Sequence, residues 1–176
     1  KRFVGAHILA GAQATAPPNK VLQVLPDRMK LAYDPADDGV AQGYHKPGFD
    51  DSKWKQVATY GKTLSAQGLP DIKAILWYRT SITCPIRHFA GTSQTSGLSL
   101  FFTEVDGQAV SVYVNGKEAA SLDKEARRKP FEVDVTDMLK PGPNVVAIKV
   151  DHRKITELCL GGIVRPILLV EKAQPQ

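Results

Sequence analysis

The chain has 176 residues, 43% of them hydrophobic and 23% charged, a balance that suits one packed domain and excludes a disordered or fibrous chain. Its 23 basic and 18 acidic side chains leave a formal charge of +5. The surplus is diffuse: the densest basic stretch, Lys124, Arg127, Arg128 and Lys129, is offset by Asp123 and Glu125 and has no interleaved aromatics, so no nucleic acid partner is expected. No apolar run reaches the roughly 20 residues that a helix needs to cross a bilayer, and no membrane partner is expected either.

Residues 1–18 open with Lys1-Arg2 and a short apolar stretch interrupted by His7. They read as a linker or the tail of a preceding domain, with a boundary at Pro17-Pro18 and a single domain over 19–176. Residues 21–25 and 29–33 predict short strands. Residues 34–54 are rich in Asp, Gly and Pro and predict an irregular surface segment, with Asp50-Asp51-Ser52 resembling a helix start. After residue 70 the pattern changes to period-two alternation, which predicts strands over 72–83, 98–105, 110–114 and 163–171. The clearest alternations are Phe131, Val133 and Val135, and Val146, Ile148 and Val150. Asp106-Gly107 and Asn115-Gly116 supply turn chemistry, the latter with the positive backbone angles of a tight hairpin. Thr136 to Lys140, before Pro141-Gly142, predicts one capped helical turn. Several strands are apolar on both faces at their middles, as in a two-sheet core, so the fold class expected is an all-β antiparallel sandwich.

Most arrangements that carry catalysis are missing from the sequence; a carboxylate pair for glycoside hydrolysis stays open, because its separation is fixed in space and no helper motif singles one out. There is no phosphate-cradling glycine loop, residues 91–95 lack the second glycine of a nucleophile elbow, and His7, His45, His88 and His152 have no metal-ligand spacing. Cys84 and Cys159 lack zinc spacing, and whether they are bonded to each other stays open. Asp34, Asp37, Asp38, Asp50 and Asp51 could supply oxygen ligands to a structural calcium, but they do not follow the alternating loop pattern, and turn formation explains them more simply. No catalytic residue, cofactor or metal is therefore assigned. An all-strand domain with loop-borne aromatic and polar side chains can instead recognise sugars: an aromatic face stacks on a pyranose while Asp, Arg and His bond its hydroxyls. The available aromatics include Tyr44, Trp54, Tyr60, Trp77 and Tyr78, of which Trp77 reads as core because it lies mid-strand.

Several segments, in order, resemble the sugar-binding domain of glycoside hydrolase family two, the β-galactosidase and β-glucuronidase family. They are Gly43-Tyr44-His45-Lys46-Pro47-Gly48-Phe49-Asp50-Asp51-Ser52-Lys53-Trp54, then Trp77-Tyr78-Arg79-Thr80 with Pro85 after it. Next come the Val114-Asn115-Gly116 turn and the run from Pro130-Phe131 through Thr136-Asp137-Met138-Leu139 to Pro143-Asn144. Gly161-Gly162-Ile163-Val164-Arg165-Pro166 resembles the closing motif. The resemblance implies a galactose-binding-domain-like jelly roll, serving as a non-catalytic, carbohydrate-binding-like accessory module of a larger glycoside hydrolase, exported to the periplasm or secreted by a bacterium. Its implied partners are carbohydrate and a neighbouring catalytic barrel. Two departures, Glu125-Ala126-Arg127-Arg128-Lys129 and Val164, remove aromatic surface that family members carry. The resulting sugar-binding candidates are Tyr44, His45, Trp54, Asp151, His152, Glu157 and Arg165. The alternatives are that Glu157, Asp151 or His152 completes the active site of a neighbouring barrel, or that the module docks protein without a ligand.

Overall fold

Alternating burial along the chain builds two main antiparallel sheets. The computed structural model describes residues 19–70, 73–84, 97–123, 129–154 and 162–172. In chain order the strands are β1 (Lys20–Val24), β2 (Arg28–Asp34), β3 (Lys55–Ala58), β4 (Ile75–Cys84), β5 (Leu98–Phe102), β6 (Val105–Asp106), β7 (Ala109–Val114), β8 (Lys117–Leu122), β9 (Phe131–Asp134), β10 (Gly142–Asp151), β11 (Gly162–Ile163) and β12 (Ile167–Glu171). One sheet runs β1-β12-β5-β9, the other β3-β2-β4-β10-β7-β8, and β11 pairs with β6 in a small third ribbon.

The inner faces meet in one apolar cluster. Leu76, Tyr78 and Ile82 of β4, Val146, Ile148 and Val150 of β10 and Val112 of β7 pack against Leu100 and Phe102 of β5, Val133 of β9 and Leu169 of β12. The chain is thus an all-β antiparallel sandwich, as the alternation implies. Long pairing holds its centre: β10 is registered with β4 from Gly142↔Cys84 to Asp151↔Ile75 and with β7 from Val146↔Val114 to Asp151↔Ala109.

A second cluster lies on the outer face of the six-stranded sheet, where Ile75, Trp77, Tyr113 and Ala147 are covered by Tyr44 and Trp54. This explains why β4 is buried on both faces over its first half. Residues 35–54 form the roof. The segment is irregular, as its composition predicts, but its inner side is packed rather than solvated.

The expected helix start at Asp50 is instead a pair of turns: the Ser52 N–H donates to the Asp50 carboxylate (3.0 Å) and the Trp54 N–H to the Asp51 carbonyl (3.0 Å). The backbone then leaves directly into β3, which pairs with β2 through Leu31↔Lys55 and Met29↔Val57. No periodicity announces β3, because as an edge strand it buries only Val57. Two expected strands are each divided: the 98–105 strand breaks after Phe102, and the 163–171 strand is interrupted over residues 164–166, where the Thr103 hydroxyl bonds to the Pro166 carbonyl (3.1 Å).

Turn residues behave as their chemistry requires. Asn115 (φ 52°) and Gly116 (φ 85°) form the β7–β8 hairpin with both central residues left-handed. The Asn115 side chain also ties this hairpin to the β9–β10 connection: its amide donates to the Met138 carbonyl (2.9 Å) and to Asn144 Oδ1 (2.8 Å), and its Oδ1 accepts the Val145 N–H (3.1 Å). Asn144, 1% exposed, accepts the Lys140 N–H (2.8 Å) and donates to the Lys140 and Gly142 carbonyls. Residues 136–138 form a single turn, capped by Asp134, which accepts the Thr136 N–H (3.0 Å).

Cys84 is a free thiol buried in the core, where burial pushes its pKa up. The expected tail over 1–18, the basic stretch at 124–128, the segment at 91–95, Pro85, His88, Glu157 and Cys159 lie outside the described residues.

Candidate functional site

The roof over the six-stranded sheet is assembled around two buried charged side chains. Asp34 ends β2 and is 2% exposed; its carboxylate accepts the Asp38 N–H (3.0 Å), the Gly39 N–H (2.9 Å) and the Trp77 indole N–H (2.9 Å). Burial alone would raise its pKa, but these hydrogen bonds to Gly39, Trp77 and Asp38 outweigh it and hold the carboxyl below the usual range. Arg79 of β4, 4% exposed, pins the other end of the roof. Its guanidinium pairs with Asp51 (2.8 Å), donates to the carbonyls of Tyr44 and of Lys46 (3.1 Å), and lies 5.6 Å from the Phe49 ring centre and 5.9 Å from that of Trp54.

Tyr44 and Trp54, two of the sugar-binding candidates, are partly buried by this packing. The Tyr44 ring is 4.9 Å from Phe49, 5.0 Å from Trp54 and 5.8 Å from Trp77, all tilted or edge-on. Burial, with Asp34 and Asp38 nearby, raises the Tyr44 pKa. His45 sits against the Tyr113 ring (5.1 Å), and burial together with Lys46 and Arg79 lowers its pKa. Trp77 is fully buried, as expected of a mid-strand Trp, although on the outer face and not between the sheets.

Where the roof ends, the outer face opens into a recess of about 230 Å³. Ile75 and Ala109 are apolar in its lining; Ser111, Ser121, Lys149, Asp151, Arg153 and Asp37 make it polar. Strand geometry puts them together: Asp151 pairs with both Ile75 and Ala109, Lys149 with Ser111, and Ser111 with Ser121 across β7 and β8. The Lys149 ammonium reaches Asp37 Oδ1 (2.5 Å), and the Arg153 guanidinium bridges Asp37 Oδ2 (3.5 Å) and Asp151 Oδ2 (2.8 Å). Asp151 Oδ1 also accepts the Arg153 backbone N–H (3.0 Å) and its Nε–H (3.1 Å). The Arg153 hydrogen bond therefore dominates in holding the Asp151 carboxyl below its ordinary range. The Ser111 and Ser121 hydroxyls lie 3.2 Å apart.

Of the other candidates, His152 follows Asp151 but is 4% exposed, its backbone N–H bonded to the Ala74 carbonyl (3.1 Å). Arg165 is exposed and pairs with Glu104 (3.4 Å) in the β11–β12 connection, away from the recess lining. Glu157 lies outside the described residues. Sequence reasoning found Asp151, weighed Asp37 only as a turn residue or calcium ligand, and missed Lys149, Arg153, Ser111 and Ser121; their association depends on strand register and on the path of the 35–54 roof. The acidic residues at 34–51 are spent separately on backbone amides, the Trp77 indole, the Gln42 side-chain amide and cations, and among the described residues no group of three or more His, Cys, Asp or Glu side chains is placed to hold a metal.

Solved structures confirm the fold. The chain aligns with a β-glucuronidase from an uncultured Clostridium species (TM-score 0.67, 20% identity, covering 91% of this chain and 31% of that one). It aligns likewise with a Ruminococcus gnavus β-glucuronidase (0.69, 18%, 85% and 28%) and with a family 2 glycosyl hydrolase from Bacteroides cellulosilyticus (0.64, 20%, 84% and 20%). The chain thus spans about a third or less of these proteins. No curated protein matches it. Residues 37–155, from the roof through β10 and the Arg153 turn, match the family model of the β-galactosidase second all-β domain. That stretch holds the Arg79 clamp, the Asn115–Asn144 network and the recess, and the chain belongs to the β-galactosidase second all-β domain family.

Proposed function

We propose that this chain is a non-catalytic, carbohydrate-binding-like module of galactose-binding type that accompanies the catalytic domain of a larger glycoside hydrolase. The observation that carries the non-catalytic reading is the state of the recess acids. Hydrolysis by a carboxyl pair needs one member to stay protonated near neutral pH, with its pKa raised. Asp151 is shifted the opposite way by Arg153, and Asp37 is bound by Lys149 and Arg153. Held by cations in this way, both serve as fixed acceptors, a role suited to binding hydroxyl groups.

The packing of the Tyr44 and Trp54 rings against each other and Tyr44 against Trp77 in the roof favours hydroxyl recognition by polar side chains over aromatic stacking. Family membership and the larger size of the aligned glycoside hydrolases support the accessory placement. Calorimetric titration of the chain with galactosides, glucuronides and plant polysaccharides, alongside nitrophenyl glycoside assays, tests the reading. Saccharide binding at millimolar or better affinity without turnover is the expected result. Turnover by the chain itself would overturn the non-catalytic reading, and uniform absence of binding would reduce the module to a scaffold.

A further inference from the structure

The recess beside Asp151 has a composition that selects among saccharides. Its charged groups cancel: the ammonium of Lys149 and the guanidinium of Arg153 face the carboxylates of Asp37 and Asp151 within 2.5–3.5 Å. An anionic ligand would have to displace a carboxylate already in place, whereas a neutral polyol can use what the ion pairs leave over. Each carboxylate offers about four lone-pair directions and an ammonium three donors, so the pairs leave both acceptors and donors unfilled. The Ser111 and Ser121 hydroxyls, 3.2 Å apart, add a pair able to give or accept. Alternating donors and acceptors of this kind match the vicinal hydroxyls of a sugar, while the half-buried Ala109 side chain, beside the buried Ile75, offers a small apolar surface to its C–H face. These groups are held before any ligand arrives, by four paired strands and by Arg153 locked onto Asp151 through three hydrogen bonds, which lowers the ordering cost of binding.

Size narrows the ligand further. About 230 Å³ is smaller than the roughly 300–1,000 Å³ typical of sites that engulf a drug-sized ligand, so the recess admits one ring and not an enclosed oligosaccharide. Resting on the carbohydrate-binding reading above, we infer that this recess is a binding site for a single neutral pyranose ring, with Asp37 and Asp151 accepting its hydroxyl protons and Lys149, Ser111 and Ser121 completing its polar contacts.

The test uses the 176-residue chain, methyl β-galactopyranoside and methyl β-glucopyranoside as neutral probes, and methyl β-glucuronide as the anionic one, followed by calorimetry and amide chemical shifts. A neutral pyranoside is expected to bind at millimolar Kd, at least 3-fold tighter than the glucuronide, with shifts centred on Ser111, Ser121 and Lys149. D151N should weaken it at least 10-fold. S121W, at an exposed position on edge strand β8 where the fold tolerates bulk, should fill the recess and abolish binding while leaving Tm unchanged. Neutral pyranoside binding undiminished in S121W would overturn the assignment yet leave the carbohydrate-binding reading standing. Tighter binding of the glucuronide would overturn the neutral selectivity, and no binding of any probe would defeat both.

Discussion

Arg79 is the most informative single position to perturb, because it separates the roof from the sandwich beneath it. In R79M the alkyl stem keeps its packing, but the carbonyls of Tyr44 and Lys46 lose a charged donor and Asp51 loses its cation. Hydrogen bonds to a charged group contribute about 1.5–3 kcal/mol each when buried. The loop carbonyls can partly rehydrate, which argues for the low end of that range. Asp51, 31% exposed, retains access to water, so its ion pair adds no more than about 1 kcal/mol. The loss expected is about 3–4 kcal/mol, or about 6–16 °C in Tm for a chain of this length. Urea unfolding followed by circular dichroism gives the global value. Native-state amide exchange across residues 39–54 shows whether the roof opens first, with R79K intermediate because an ammonium cannot reproduce the forked contacts. A loss below about 1 kcal/mol with unchanged exchange at Tyr44 and Trp54 would refute the clamp.

Other positions give independent checks. D34A strands three donors, the amides of Asp38 and Gly39 and the Trp77 indole, and should cost about 2–4 kcal/mol by chemical denaturation, with D34N recovering part of it. Gly162 has φ 69°, and a Cβ there would sit 2.0 Å from the Tyr78 hydroxyl, which cannot retreat because Tyr78 is 1% exposed. G162A should therefore lose at least about 3 kcal/mol in the same assay, and a smaller loss would mean that β11 gives way. Asp134 is held at a pKa of about 2, chiefly by its Lys172 hydrogen bond and then by the Thr136 amide. Because this folded value lies below the ordinary 3.8, its contribution is complete above about pH 4 and disappears as pH falls towards 2. D134N should flatten that part of the urea-midpoint profile by under about 1 kcal/mol, since the pair is largely exposed.

The parts of the fold visible in the sequence are those whose cause is local. Period-two burial in Val146, Ile148 and Val150, the left-handed pair Asn115-Gly116, and the proline and glycine after Leu139 each act within a few residues, and each stands where its chemistry predicts. The ordered motifs proved to be structural in large part: Asn115 and Asn144 fasten two turns together, and Trp77 and Arg79 anchor the roof. Edge strand β3 was illegible because one buried residue makes no period, and the break at residues 164–166 was hidden inside an apolar run whose pairing partner changes from β6 to β5.

Residue order by itself settled that strands would alternate, where they would turn, and that their apolar halves would meet in a two-layer interior. It left undecided which side of each outer face would see water. Tyr44 and Trp54 have the composition of a binding platform, yet they cover Trp77, while Asp37, Ser111, Ser121, Lys149 and Arg153 join Asp151 around an open recess. That outcome is decided by strand register and by the Asp34 and Arg79 contacts that fold residues 35–54 across the sheet. Hydrogen bonds between residues 28 to 43 positions apart have no periodic signature, so only the folded chain could reveal which polar groups share one space.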